Sequence, residues 1–211
     1  MASADTATNS RRRRLAGELS RRRILNAARE IASERGYQGT SIAAVSTKCG
    51  LPASSIYWHF KDKDDLLAAV IESSFSAWLQ AWDVPAEGST EERVLAVATQ
   101  IAKALMDSPD FIRLGLMLTL ERRPVEPRAR AMFISVRAQA CCALESVVAE
   151  LMPELTTAQI SRLSAYALAG ADGLFITKEI DGDSINLIEL FEMHARAVMA
   201  TALAMAQDDN P

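Results

Sequence analysis

Helical periodicity, with no stretch that alternates as a strand does, is the feature that most constrains this chain. From Ser20, SRRRILNAAREIASERGY sets Ile24, Ala27, Ala28, Ile31 and Ala32 on one face at a 3.6-residue repeat. Gly36 follows where a helix C-terminal glycine belongs. Start signals recur downstream: Asp62 with Asp65, Ser89 with Glu92 as a capping box, Ser108 before Pro109, Pro127, Thr156 with Gln159, and Asp183 or Ser184. Residues 127–152 carry the most regular stripe, with Ala129, Met132, Phe133, Val136, Ala140, Ala143, Leu144, Val147 and Leu151 in line before Pro153. The pattern predicts an all-α protein of nine or ten helices without internal repeats, preceded by a disordered basic arm over residues 1–17.

Composition narrows the function classes. With 211 residues, 49% apolar and 24% charged, the chain can bury one substantial core, or one small domain beside a larger one. No run of about 18 apolar residues offers a membrane span, and MASADTATNSRRRR has no apolar segment behind its charges, so the expected location is the cytoplasm, with no membrane partner. Cys49, Cys141 and Cys142 form no CxxC and no Cys/His metal spacing, and they are expected as buried small apolar residues; no metal and no cofactor is called for. The two histidines are His59 and His194, and no GxSxG, HExxH, Walker or glycine-rich nucleotide motif is present, so no catalytic residue is assigned and an enzyme is not expected.

The net charge of −4 conceals an asymmetry. Residues 1–65 hold twelve Lys+Arg against seven Asp+Glu, while residues 66–211 hold eleven against twenty. A basic head on an acidic body suits a polyanion partner for the head.

Within that head, GYQGTSIAAVSTKCGLPASSIYWHF reads as two short helices, one from about Ser41 to Lys48 with Ile42 and Val45 inward, the second from Pro52 to about Trp58. The turn at Cys49, Gly50 and Leu51 gives the spacing of a helix-turn-helix. Gly50 supplies a left-handed conformation, and Pro52 starts a helix where the amide has no intrahelical acceptor. Ala53, Ser54 and Ser55 are small enough for close approach to DNA, and Ile56 and Phe60 are spaced to bury. Tyr57, His59, Lys61 and Lys63 remain, and phenol, imidazole and ammonium groups donate to phosphate oxygens.

These residues, GYQGTS followed by GLPASSIYWHFKDKDDLL, strongly resemble the DNA-binding domain of the TetR family of bacterial transcriptional regulators, from Ser20 to about Leu67. The resemblance implies that Thr40, Ser55, Tyr57, His59 and Lys63 hold the DNA backbone and that Ala53, Ser54 and Trp58 face or border the groove; Ser41 and Lys61 are expected beside them as further DNA-binding candidates. Ala43 and Ala53 stand where the family often has polar residues able to reach a base, so direct readout is expected to be thin, with thymine methyl contacts, DNA shape or the arm carrying more. Arg11 to Arg14 admit two readings, a minor-groove arm or a solubilising tail.

The boundaries expected on this basis are an arm at 1–17, a three-helix DNA-binding domain at 18–66, and a larger helical ligand-binding and dimerisation domain at 67–211. In the last, Ala165, Ala169, Gly170 and Gly173 are small residues suited to close helix approach, and Ile188, Phe191, Ala195, Val198 and Ala202 recur three and four apart as a packing seam; both are expected in a homodimer interface. Trp78, Trp82, Phe111, Met117, Phe133 and Phe175 are candidates to line a pocket for a small-molecule effector, with Arg113, Glu121, Arg137 and Asp172 as polar groups, and residues 114–120 are expected to be enclosed on several sides. The function expected is a dimeric repressor of a palindromic double-stranded DNA operator, released by a small, mostly apolar molecule. The alternative is a DNA-binding protein of the same fold without an effector, acting through a protein partner or as a nucleoid organiser.

Overall fold

The computed structural model describes residues 2–121 and 127–208. Among them the regular elements are α1 (Ala2–Gly39), α2 (Ile42–Cys49), α3 (Ala53–His59), α4 (Lys63–Gln80), α5 (Thr90–Asp107), α6 (Asp110–Leu120), α7 (Arg128–Leu151), α8 (Thr157–Asp181), a 3₁₀ turn (Gly182–Ser184) and α9 (Leu187–Asp208). The all-α expectation holds.

Local chemistry sets most of the boundaries. Glu92 accepts from the Ser89 amide at 2.8 Å while the Ser89 hydroxyl accepts from the Glu92 amide at 3.3 Å, satisfying two donors at the start of α5. Gln159 accepts from the Thr156 amide at 2.7 Å and donates to the Met205 carbonyl at 2.9 Å, so one buried side chain both caps α8 and ties it to α9. Asp62 accepts from the Asp65 amide at 2.8 Å ahead of α4. The start of α9 differs from expectation: Asp183 and Ser184 close the 3₁₀ turn after Gly182, and Asn186 caps α9 by accepting from the Ile188 and Glu189 amides.

Helix α1 begins at Ala2 and runs through the arginines to Gly39, bending at Gly36, whose φ of 66° is left-handed. Arginine, alanine, leucine and glutamate are all good helix formers, and adding turns to an existing helix avoids the nucleation cost of starting one. Met1 lies outside the described residues.

The chain divides into two compact units, Met1–Phe75 with Asp110–Ile134, and Ser76–Pro109 with Ser135–Pro211. In this division α6 and most of α4 cluster with the head. In the first unit α1 packs against α2, α3 and α6 over a core that includes Ile24, Ala28, Ile31, Val45, Ile56, Phe60 and Leu66. The Phe133 ring covers Gly115 so closely that a Cβ there would lie 2.0 Å from the ring. Helix α6 is not enclosed: Leu118 is fully buried, but Met117 is half-exposed and Leu120 is 76% exposed. Its apolar composition therefore does not measure its burial.

In the second unit α9 packs against α5 and α8. Val97, Val147, Val148, Leu151, Met152, Leu155, Leu163 and Ala202 form its core cluster, with Val198 packed on it. Phe191, Ala195 and Ala202, three of the residues expected in a dimer seam, are buried within the protomer, where α9 packs against α5 and α8. Helix α7 is long enough to cross a membrane, and its most apolar 18-residue window has a mean hydropathy of 1.4. It nevertheless pairs Arg137 with Asp172 and buries a stripe through Val136, Ala140 and Val147, the pattern of an amphipathic helix in a helical core. Of the cysteines, Cys49 is buried as expected, whereas Cys142 is exposed, on the polar side of α7.

Candidate nucleic-acid interface

The helix-turn-helix is built by short-range polar bonds and one long-range clamp. Ser41 caps α2, its hydroxyl accepting from the Ala44 amide at 3.2 Å. Gly50 turns the chain at φ 66°, and its amide returns to the Ser46 carbonyl at 3.0 Å. Ser46 donates to the Leu51 carbonyl at 2.7 Å, and Arg23 reaches over from α1 to donate to the Cys49 carbonyl at 2.7 Å. Pro52 precedes α3 with the φ of −63° that its ring imposes.

Helix α3 is then fixed by its inward face. Ile56 is fully buried and Phe60 nearly so, which turns Tyr57 and Trp58 outward at 56% and 77% exposure. Ser54 is exposed, Ala53 and Ser55 are half-buried, and Lys61 is exposed just beyond the helix. His59 is half-buried with its ring edge-on to Trp58, 4.6 Å between centroids. Burial, followed by the nearby Arg21 charge, holds its imidazole below the usual range, which keeps it a neutral hydrogen-bonding group near pH 7. A short helix presenting hydroxyls, a phenol and an indole, with an inward face locked by two large apolar residues, can enter a DNA groove.

Two expected contact residues are committed elsewhere. Thr40 is 1% exposed and donates to the Gly36 carbonyl at 2.8 Å, closing the bend after α1. Lys63 donates to the Tyr37 carbonyl at 3.1 Å and lies 4.4 Å from the centre of the Tyr37 ring. Both bonds lie within the head, and Lys63 stays half-buried. The sequence pattern does not reveal the Arg23 clamp on the Cys49 carbonyl, nor the role of Asp64, which accepts from the Tyr37 hydroxyl at 3.1 Å and from the Ala129 amide at 3.3 Å. No local signal marks these roles, because the partners lie 26 or more residues away.

The residues expected to line a pocket fall into both units. In the first, Phe111 meets Phe75 edge-on at 5.6 Å, Phe133 covers Gly115, and Arg113 donates to Ser33 at 2.9 Å. Glu121 is exposed at the end of α6 and Met117 is half-exposed. A crevice of ≈ 10 Å³ between Ala32, Ser33, Val70, Asp110, Arg113 and Leu114 has room for one water. In the second unit Trp78 and Trp82 meet edge-on at 5.6 Å, Arg137 pairs with Asp172, and Phe175 is buried. The Trp82 indole N–H is buried with no acceptor among the described residues. No group of three or more His, Cys, Asp or Glu able to hold a metal occurs among them.

Comparison with known proteins bears on the same segment. Residues 24–70 match the family model for bacterial regulatory proteins of the tetR family. The chain carries the TetR-family helix-turn-helix domain. Its head is 39% identical to the HTH-type transcriptional regulator UidR of Escherichia coli K12 over 69 residues, 33% of this chain and 35% of UidR. It is 29% identical to an HTH-type transcriptional repressor of Mycobacterium tuberculosis over 104 residues, 49% of this chain and 40% of that protein. The matches thus span well under half the length of these relatives. Beyond the TetR-family head the likeness is one of fold: a putative transcriptional regulator from Pseudomonas aeruginosa aligns with a TM-score of 0.72 at 17% identity, covering 90% of this chain and 94% of that one. The regulator FadR of Bacillus subtilis, in complex with stearoyl-CoA, aligns with a TM-score of 0.66 at 17% identity, covering 83% and 96%.

Proposed function

We propose that the protein is a transcriptional repressor that binds a palindromic duplex operator as a homodimer and is released by a small, mostly apolar molecule. The observation that carries the DNA-binding part is α3, whose buried Ile56 and Phe60 hold Ser54, Tyr57 and Trp58 outward in a TetR-family domain. Tyr57, Ser55, His59, Lys61 and the capped start of α2 at Ser41 contact phosphates, and Ala53, Ser54 and Trp58 meet the groove.

The homodimer reading rests on the outer face of α8. Tyr166, Ala169, Gly173, Ile176 and Ile180 are exposed in one stripe three to four residues apart, and an exposed apolar stripe of this kind needs a partner surface. Exposed Met193 and Leu203 on α9 belong to the same reading in place of the buried seam residues. A two-fold dimer places its recognition helices about one DNA turn apart, roughly 34–36 Å, which calls for a palindrome. Repression agrees with the naming of the Mycobacterium tuberculosis relative.

The effector reading rests on the aromatic pair Trp78 and Trp82, the buried indole N–H of Trp82, and the Arg137–Asp172 pair in the second unit. In the first unit α6 grips α1 through Arg29 on Asp110, Arg113 on Ser33, and the Met117 methyl beside Gly36. In this reading an effector drives release by binding the released state better.

The test is selection of duplexes by the purified protein at near-physiological salt, from genomic fragments and random sequence. Enrichment of a palindrome supports the reading; no enrichment, or a single unpaired half-site, contradicts it. Release is then assayed with long-chain acyl-CoA as the first probe, since the Bacillus subtilis fold relative is complexed with such a molecule.

A further inference from the structure

The N-terminal half of α1 holds seven arginines and a single acid between Arg11 and Arg23, and the helix-turn-helix itself does not need most of them. Arg23 clamps the Cys49 carbonyl, and Arg21 lies 5.5 Å from the centre of the Phe60 ring. Arg11, Arg12, Arg13 and Arg14 are all exposed, and none pairs with an acid among residues 11–121 and 127–207.

Their direction follows from the helix. Gly17 lies two turns before fully buried Ile24 and so continues the core-facing stripe of α1 beyond the core. At that point the stripe meets the recognition helix: a Cβ on Gly17 would stand 3.7 Å from the Trp58 ring. Arg13 and Arg14, four and three residues earlier, share this face, as does Arg21 four residues later, whereas Arg12 points to the far side. Arg13, Arg14, Gly17 and Arg21 therefore form a strip alongside Trp58 and Phe60. At 1.5 Å per residue the strip extends about 6 Å past Gly17 to Arg13.

We infer that the first turns of α1 form a rigid helical arm that carries Arg13 and Arg14 onto the phosphates flanking the site read by α3. The inference rests on the DNA-binding reading of the head and adds to it a longer, one-sided footprint. The charge of the arm suits a polyanion, and its contact with Trp58 selects the polyanion that α3 engages, a duplex rather than an unrelated surface. At 3.7 Å a Cβ on Gly17 would make ordinary van der Waals contact with the indole, so α1 and Trp58 lie within side-chain reach of each other there.

The experiment measures affinity against salt concentration for the wild type on the selected duplex, once with its flanks and once trimmed to the recognition-helix footprint. The Arg13→Ala/Arg14→Ala variant is expected to flatten the salt slope by about 1.8 per protomer, at about 0.9 per phosphate contact, on the flanked duplex only. Arg12→Ala is expected to change it by less than half of what Arg13→Ala does. Gly17→Pro keeps every charge but breaks the helix beside Trp58, and it should lose the flank-dependent affinity while circular dichroism shows the rest of the protein folded. Equal losses for Arg12→Ala and Arg13→Ala, or wild-type flank binding by Gly17→Pro, would identify a flexible polycation and overturn the rigid arm. An unchanged slope for Arg13→Ala/Arg14→Ala overturns the contact altogether. A wild type that binds no duplex sinks the DNA-binding reading first, an outcome visible before any variant is made.

Discussion

Asp64 joins three segments of the first unit through one carboxylate. One oxygen accepts the Tyr37 hydroxyl at 3.1 Å and the Ala129 amide at 3.3 Å, and the other accepts the Arg128 amide. The residue stands in the first turn of α4, yet it caps α7 and holds the end of α1.

Asp64→Ala should therefore cost about 1–2 kcal/mol of stability, the range for losing a helix cap together with a hydrogen bond. Asp64→Asn retains an acceptor and should cost less, and Tyr37→Phe should cost about 1 kcal/mol. Urea unfolding of the three variants checks the order. An Asp64→Ala protein as stable as wild type would mean that water replaces the carboxylate at no cost.

Lys63 and Lys61 provide a second contrast. Lys63 loses a hydrogen bond to the Tyr37 carbonyl and its place over the Tyr37 ring when replaced by alanine, so Lys63→Ala should destabilise by about 1–2 kcal/mol. Exposed Lys61→Ala should stay within about 0.5 kcal/mol but flatten the salt dependence of DNA binding. The reverse pattern, with stability intact and the salt slope flattened only for Lys63→Ala, would return Lys63 to the phosphate contacts.

These two lysines show where sequence reading stops. The caps at Ser89 with Glu92 and at Thr156 with Gln159 are legible because donor and acceptor lie three residues apart. The inward pair Ile56 and Phe60, and with it the outward face of α3, is legible for the same reason. The roles of Lys63, Arg23 and Asp64 depend on segments that meet only after folding, and that of Thr40 on its hydroxyl turning back to the Gly36 carbonyl. Periodicity found the stripe through Phe191, Ala195 and Ala202 but cannot say what covers it, and here the covering elements belong to the same protomer.

Asp110 predicts a pH effect of unusual sign. Burial raises its pKa, against the lowering influence of Arg29 and Arg113. A carboxyl held more firmly protonated in the folded state contributes stability that is fully present below its unfolded pKa and is lost as pH rises through the folded one. At pH 7 the buried charge is a burden, so Asp110→Asn should be no less stable than wild type there, and the difference should shrink as pH falls toward the ordinary carboxylate range. Thermal melts at several pH values decide it. A large loss of stability in Asp110→Asn at pH 7 would show that the Arg29 pair at 3.6 Å outweighs burial.

Two glycines of α8 separate packing within the protomer from packing between protomers. A Cβ on Gly170 would lie 2.2 Å from the His194 ring, whose Nε2 is 2.9 Å from the Ala167 carbonyl. Gly170→Ala must displace that ring, and it should destabilise the protomer by about 1–3 kcal/mol despite the better helix propensity of alanine. A Cβ on Gly173 meets nothing within 4 Å, so the protomer itself has room for a larger residue there. If the exposed stripe of α8 joins two protomers, Gly173→Leu should dissociate the dimer while circular dichroism of the monomer stays unchanged. Light scattering across a concentration series measures this. A Gly173→Leu protein that remains as dimeric as wild type would place the interface on another face.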